Sequence, residues 1–374
     1  MTVVAVQNVI KSYDGAPALN GLDFETRDGE FFVLLGPSGA GKTTTLKVIA
    51  GLEDPDAGEV VFDGQVINTL PPNERPVGMT FESYALYPHF SVFENLANPL
   101  RAPGRKLPAA EIRNRVDKIA KMLRIDHLYN RRPGELSGGQ KQRVSLGRTM
   151  IREPAVYLMD EPLSHVDAKI RFDLRIQFHR LEALQNCTSI YVTHDYVEAL
   201  SLGDRIAIIN TGRIVQVGTP KQIYYQPKNI LVARMVGQPH INLLDAALEV
   251  NGSDALLRIP QAGFSIPISA ELRQILEQAN VPQQLTVGIR PMDITINSEA
   301  EKATARVRTD VFEPFGSLGL LSVKAQDIYL ELLLDPDLTF EPDTPMGIDF
   351  RADRLVFFDP DSHLNLLWNE DRNG

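Results

Sequence analysis

FFVLLGPSGAGKTTTLKVIA, residues 31 to 50, sets an apolar strand, a glycine-rich turn and a helix start in immediate succession. Gly36, Gly39 and Gly41 permit backbone conformations that residues with a Cβ resist, so successive N–H groups can converge on phosphate oxygens at the positive end of the following helix. The turn Gly36, Pro37, Ser38, Gly39, Ala40, Gly41, Lys42, Thr43 and Thr44 is therefore the expected nucleotide-binding segment. Lys42 is placed to reach the β- and γ-phosphates, and Thr43 to reach a Mg²⁺ ion.

Upstream, Val3 to Val6 and Leu19 to Phe24 are expected as short strands flanking a polar turn, Lys11 to Gly15, which carries Tyr13. A turn aromatic there either packs or lays its ring against an adenine face. Downstream, GEVVFDG (58–64) and Val77 to Phe81 read as strands, the second running into Glu82. From Ser91 to Arg124 the period becomes helical. Ser91 and Glu94 occupy the two positions of a capping box, and Ile112, Val116, Ile119 and Leu123 trace one helix face, so a helical insertion is expected. LSGGQKQRVSLGRTMI (136–151) opens with small residues at a loop-to-helix junction, where Ser137 and the N–H groups after it can meet another anion. Alone, SGG is only a flexible cap.

AVYLM (155–159) then delivers two acids at a strand end. Asp160 suits the water shell of Mg²⁺, and Glu161 suits orienting or deprotonating an attacking water. Ile170 to Phe178 fits both a strand alternation and a helical stripe. The pattern extends through Leu184 without a turn signal, so a helix is expected. TSIYVTHD (188–195) gives a strand ending at His194, which either serves the core or contacts a γ-phosphate; beside a nucleotide turn the second reading is favoured.

A chain of 374 residues exceeds one ordinary core and implies two domains. Gly212 to Gly218 reads as a strand and TPKQIYYQP as a short helix, followed by a boundary near Gly237 to His240. Beyond it ALLRI, FSIPI, LTVGI, ARVRTDVF, LGLLSV, IYLELLL and LVFF are broken by Pro, Gly, Asn and Asp, which predicts a β-rich second domain built as a small barrel. The fold class is α/β in the first domain and β-rich in the second. A formal net charge of −10 argues against overall attraction to nucleic acid or anionic lipid. The single cysteine, Cys187, rules out an intramolecular disulfide and reads as a small apolar residue in a reducing compartment. No uninterrupted apolar run approaches the roughly 18 residues of a spanning helix, and the first residues lack a signal-peptide pattern. Any membrane role is expected to come through a partner.

GPSGAGKTT, LSGGQ, YLMDEP and VTHD stand in the order found in ABC ATPases, and LSGGQ separates these from other phosphate-loop enzymes. The resemblance covers the whole chain. SYALYPHFSVFENLANPL, DEPLSHVDAKIR and GIRPMDI resemble the ATPases of carbohydrate-uptake ABC importers of the maltose and glycerol-phosphate type. It implies a P-loop ABC ATPase domain at 1–237 with an inserted helical subdomain at about 88–152, and an OB-like, TOBE-type regulatory domain at 238–374. It also implies ATP and Mg²⁺ as cofactors, and a head-to-tail dimer in which the phosphate loop of one subunit and Ser137, Gly138, Gly139 and Gln140 of the other enclose each ATP. Tyr13 would stack on adenine, Thr43, Asp160 and Glu82 would face Mg²⁺, Glu161, His194 and Glu82 would serve hydrolysis, and Asp167 would lie in the loop joining the two sites. The region Glu82 to Leu100 would receive a coupling helix.

The partners so implied are two permease transmembrane subunits, a second ATPase subunit, identical or paralogous, and indirectly an extracytoplasmic solute-binding protein, with no nucleic acid. The implied location is the cytoplasmic face of the cell membrane. Two positions depart from the family pattern: Glu82 stands where Gln is usual, and His165 where Asn or Ala is common. Glu82 keeps an oxygen for Mg²⁺ or water but loses an amide donor and adds negative charge beside a polyphosphate. That implies slower hydrolysis or coupling, or pairing with a nonidentical ATPase. Two alternatives stand beside the importer reading. A soluble ABC ATPase of DNA repair or translation is disfavoured by the acidic balance, the absence of zinc cysteines, the single phosphate loop and SYALYPH. A weakly hydrolysing regulatory subunit is motivated by Glu82. The solute is not legible, because the ATPase need not touch it.

Overall fold

Asp14 and Gly15, at φ of 50° and 81°, close an antiparallel hairpin between β1 (Val4–Tyr13) and β2 (Ala16–Glu25). A two-residue Asp-Gly loop with both φ positive matches the right-handed twist of the strands it joins. Lys11 to Tyr13, expected in a turn, therefore extend β1, and each strand has ten residues rather than a short core segment. Register shifts between Val6 and Val9 and between Lys11 and Ser12 break the alternation that would have announced their length.

The computed structural model describes residues 2–81, 83–101, 107–164, 166, 168–180, 187–251 and 254–369. Glu82, His165 and Asp167 lie outside the described residues, as do 181–186, into which the expected helix through Leu184 would run. Two units divide the chain, Met1–Pro220 and Lys221–Gly374. After the hairpin, the first unit continues with β3 (Phe31–Leu35), α1 (Lys42–Ala50), β4 (Ala57–Phe62), β5 (Gln65–Val66) and β6 (Val77–Thr80). The helical stretch follows: α2 (Val92–Ala97), α3 (Ala109–Met122) and α4 (Gly138–Met150). Then come β7 (Val156–Asp160), α5 (Ala168–Arg180), β8 (Thr188–Thr193), α6 (Tyr196–Leu202), β9 (Arg205–Asn210) and β10 (Arg213–Gly218).

One antiparallel sheet has the order β2-β1-β4-β5. The other runs β10-β9-β3-β8-β7-β6 and is parallel apart from β10. All five residues of β7 and all six of β8 are buried, as strands covered on both faces require. Leu22 and Phe24 of the first sheet, Phe32 and Leu34 of the second, and Leu46 and Ile49 of α1 belong to one buried cluster. Truncating a Leu or Ile in such a core to Ala costs about 2–5 kcal/mol, against roughly 0–1 for an exposed ion pair. Packing therefore sets the position of α1. Arg75, 4% exposed, finishes that helix by donating from Nη1 to Val48 O and Ile49 O, both at 2.9 Å, which places a cation at the negative end of the helix.

The capping box expected at Ser91 is present: Glu94 N donates to Ser91 Oγ at 3.2 Å, and Ser91 N donates to Glu94 Oε2 at 2.7 Å. Ile112, Val116 and Leu123 are buried as their spacing predicts, with Ile119 half-buried beside them. Cys187 is buried, its Sγ donates to Pro154 O and Ala155 O at 3.0 Å each, and burial pushes its thiol up to about 11, consistent with a packing residue.

α7 (Pro220–Tyr225) starts on the last residue of the first unit and leads into the second, which continues with α8 (Ile230–Met235) and is otherwise mostly strand. Its elements are β11 (Asn242–Asn251), β12 (Asp254–Ile259), β13 (Phe264–Ile268), α9 (Ala270–Gln278), β14 (Gln284–Ile289), β15 (Ile294–Asn297), β16 (Ala305–Phe315), β17 (Leu318–Ala325), β18 (Ile328–Leu334), β19 (Pro345–Phe350) and β20 (Val356–Phe358). Hydrogen bonding makes two five-stranded antiparallel sheets, β13-β12-β11-β14-β20 and β15-β19-β16-β17-β18. Leu257 and Val287 from one and Leu321, Leu330 and Ile348 from the other share a core. The segment Gly237 to His240 lies inside this unit. Arg290 holds the preceding helices to it, donating to Tyr224 O at 2.8 Å, to Ala233 O at 3.1 Å and to Val236 O. No helix among the described residues is long and apolar enough to cross a membrane.

Candidate functional site

In the parallel sheet Leu35 pairs with Thr193 and Asp160 pairs with Val192. The residues that follow, Gly36, Glu161 and His194, thus leave three adjacent strands at one edge, the carboxyl ends at which α/β sheets bind ligands. Gly41 caps α1 with φ of 102°, and a Cβ there would fall 2.5 Å from Ala18 O. Gly39 is also left-handed, at 79°; Gly36 is not, and is needed instead because a Cβ would strike Ile209 O. Pro37, Ser38 and Gly39 form the exposed crest of the loop, Ala40 is buried beneath it, Thr43 is exposed and Thr44 half-buried. The first-turn amides of α1 point from this end of the helix toward the loop.

Lys42 is buried, with Nζ donating to Gly36 O and Pro37 O at 3.0 Å each and lying 3.9 Å from Glu161 Oε1. Thr43 Oγ1 donates to Asp160 Oδ1 at 3.1 Å, and Asp160 is 2% exposed. One hydroxyl beside one carboxylate fits a Mg²⁺ ion that keeps water and phosphate ligands. No group of three or more His, Cys, Asp or Glu gathers among the described residues to form an all-protein cage. Glu161 adopts φ of 44°, its N–H donates to Val192 O at 3.0 Å, and Oε2 lies 2.9 Å from His194 Nδ1. The His194 ring is otherwise open, its side chain 57% exposed.

Ser137 is the N-cap of α4. Its Oγ accepts from Gln140 N at 3.3 Å while its own N–H donates to Gln140 Oε1 at 2.9 Å. Ser137 and Gly138 are exposed and Gly139 half-buried. The side-chain bonds of this turn stay within it, whereas Lys42, Thr43, Asp160, Glu161 and His194 are linked by contacts in the same chain. Tyr13 ends β1 at 40% exposure, with Lys11 Nζ 5.6 Å from its ring centroid, so part of the ring is open to a further partner.

The sequence pattern of the ABC transporter family matches residues 19–164. Relatives match nearly the whole chain. An uncharacterised ABC transporter ATP-binding protein, YurJ of Bacillus subtilis strain 168, is 39% identical over 365 residues, covering 97% of this chain and 99% of its own. The sulfoquinovosyl glycerol transport ATP-binding protein SmoE of Agrobacterium fabrum is 41% identical over 359 residues, covering 96% and 98%. The chain belongs to the ABC transporter family. As an ABC protein of this kind it binds and hydrolyses ATP. The sn-glycerol-3-phosphate import ATP-binding protein UgpC of Psychromonas ingrahamii is similar at 39% identity over 376 residues, 98% of this chain and 96% of its own. Among solved structures, the dimeric ATP-binding cassette MJ0796 in a post-hydrolysis state bound to ADP and Pi matches with a TM-score of 0.54 and 30% identity, over 58% of this chain and 98% of that one.

Sequence reasoning missed two polar residues that brace the ABC site from behind. Gln142, 1% exposed on α4, donates from Nε2 to Glu161 O at 2.8 Å. Arg171 on α5 donates from Nη2 to Ser164 O at 3.3 Å and Val166 O at 3.1 Å, and from Nη1 to Asp195 Oδ2 at 3.4 Å, so it spans the chain after Glu161 and the chain after His194. The available signal was weak, a Gln and an Arg within helical stretches that also read as ordinary solvated positions.

Glu198 lies beside this brace, 2% exposed, accepting from Tyr191 Oη at 2.8 Å and Thr193 Oγ1 at 2.9 Å. Burial pushes its carboxyl above the usual range despite those two donors. A carboxyl that holds its proton more tightly folded than unfolded contributes stability below its unfolded pKa and loses it as pH rises through the folded one. Glu198→Gln keeps an acceptor for both hydroxyls, so its unfolding midpoint relative to wild type is expected to rise as pH increases from about 4.5 to neutrality. Thermal scans at a series of pH values check this; a difference that does not vary with pH would place the cost elsewhere.

Proposed function

We propose that this ABC ATPase powers the uptake of a sugar, polyol or glycerol-phosphate-like solute through ATP-driven closure of an ATPase pair. The observation that carries the chemistry is the meeting of Lys42, Asp160, Glu161 and His194 at the ends of three adjacent strands. The solute class rests on relatives named for sn-glycerol-3-phosphate import and sulfoquinovosyl glycerol transport. Lys42 carries its charge to the terminal phosphates, beside the amides at the head of α1. Thr43 and Asp160 would hold Mg²⁺, which when bound would supply positive charge against the terminal phosphates. Glu161 orients water and takes its proton, while His194, anchored through Nδ1 on Glu161, turns the rest of its ring toward the γ-phosphate. Tyr13 offers its ring to adenine. Glu82 is assigned a place near Mg²⁺ and the attacking water, and Asp167 a place in the loop between the two sites.

In this reading Ser137, Gly138, Gly139 and Gln140 close over the nucleotide of the opposite subunit. ATP shifts the pair toward closure because it binds that state more tightly than the open one, and the region Glu82 to Leu100 passes the movement to permease subunits. The protein then works at the cytoplasmic face of the membrane, with an OB-like regulatory second domain and an extracytoplasmic binding protein feeding the permease. Purification from native membranes tests this. Two co-purifying permease chains and ATPase activity stimulated by loaded binding protein are expected; a chain recovered without permeases, with activity indifferent to solute, would sink the importer reading. Ser137→Arg tests the shared site, since the new side chain would occupy the neighbour's γ-phosphate space. Mixed with wild-type subunits it is expected to depress activity below the wild-type fraction. A fall only in proportion to that fraction would mean that the two sites of a pair do not have to close together.

A further inference from the structure

Glu161 is not a glycine, yet its φ of 44° lies in the left-handed region, which L residues keep only when their surroundings hold them. Its N–H is fixed by Val192 O at 3.0 Å, and its carbonyl oxygen is fixed twice. Gln142 Nε2 donates to it at 2.8 Å and Ser164 Oγ at 2.9 Å, while Gln142 Nε2 also lies 3.3 Å from Ser164 Oγ. Because the carbonyl can only accept, the amide of Gln142 must present its nitrogen there. That amide is almost wholly buried, and it stands on the helix whose N-cap is Ser137.

We infer that Gln142 is a positioning residue: its amide holds the main chain of Glu161 in the turn that aims the carboxylate, and so ties that carboxylate to the signature turn at the head of α4. This rests on Glu161 being the group that activates water, as proposed above. If the signature turn also closes on the opposite nucleotide, α4 and Gln142 give that nucleotide a direct mechanical path to the carboxylate of the other site. A methionine at 142 keeps length and volume and removes the donor.

The test measures ATP turnover, ATP affinity and thermal midpoint for Gln142→Met, Glu161→Gln and the double variant in the full-length protein. Gln142→Met is expected to lower kcat roughly 10- to 100-fold, the scale of a misplaced reacting group, with KM for ATP and affinity within about twofold. In the Glu161→Gln background the same change is expected to alter residual turnover by less than about twofold, because it acts through Glu161. Gln142→Ser, which shortens the chain beyond reach of the carbonyl, is expected to match Gln142→Met and guards against an effect peculiar to methionine. The inference is overturned if Gln142→Met keeps its kcat, if its loss lies in KM and affinity, or if it lowers turnover equally with and without Glu161. A Glu161→Gln protein that hydrolyses ATP normally would instead overturn the assignment of Glu161 itself, and the role of Gln142 with it.

Discussion

Glu161→Gln is expected to bind ATP with nearly unchanged affinity and to hydrolyse it about 10²-fold more slowly or worse, the scale of positioned acid-base catalysis. The substitution is nearly isosteric, and the backbone that aims residue 161 is fixed by Val192 O, Gln142 and Ser164 rather than by the carboxylate. What disappears is the base proposed for this position. An amide cannot take a proton from water, and it offers no charge to the Lys42 ammonium 3.9 Å away. His194 keeps a hydrogen-bond partner, so the loss should appear in kcat rather than in KM. Single-turnover hydrolysis together with equilibrium ATP binding checks this, and wild-type turnover in the variant would move the catalytic role to another group.

Lys42→Ala is expected to act on binding instead. Nζ is held at the loop mouth by two carbonyls, Gly36 O and Pro37 O, so it arrives pre-positioned when a polyphosphate enters. Hydrogen bonds to charged groups contribute about 1.5–3 kcal/mol, which corresponds to a loss in ATP affinity on the order of 10- to 100-fold. Removal also leaves Glu161 without its nearby cation, so turnover at saturating ATP should fall as well. Alanine is tolerated within a helix, and the apolar residues that fix α1 are untouched, so the fold should persist. Titration of ATP against the variant, with a thermal scan as the folding control, is the measurement. Affinity within twofold of wild type would place the terminal phosphates away from Lys42.

The parts of the site that could be read from the sequence are those whose chemistry is written in neighbouring residues. The phosphate turn, the two acids after AVYLM and His194 after TSIYVT each declare themselves within a few positions, and the sheet register then brings them together. The box at Ser91 and Glu94 was legible for the same reason, being closed within one turn of helix. Gln142 and Arg171 were not, because their partners lie on other elements and nothing local marks a polar helix residue as buried. Strand lengths failed where bulges interrupt β1, and the Asp14-Gly15 pair was the overlooked signal that the hairpin turn is tight. In the second unit the strand segments were visible as apolar runs, but α9 passed unremarked and the order in which strands pair was not to be had, since antiparallel partners are chosen by fit across the core.

The pairing of β3 with β8 and β9 also decides when, in the life of a chain, the enzyme comes into being. Phe31 faces Ser189 and Phe32 faces Arg205, so the strand that launches the phosphate loop finds its neighbours only after the ribosome has passed those positions. The β1–β2 hairpin can close early from local contacts, whereas the parallel sheet must wait for distant ones. Until β8 arrives, the main-chain N–H of Glu161 has no Val192 carbonyl to fix it, and His194 has not been made. A chain stopped before β8 would therefore carry the phosphate-loop sequence without Val192 and His194, and so without the hydrolytic centre proposed around Glu161.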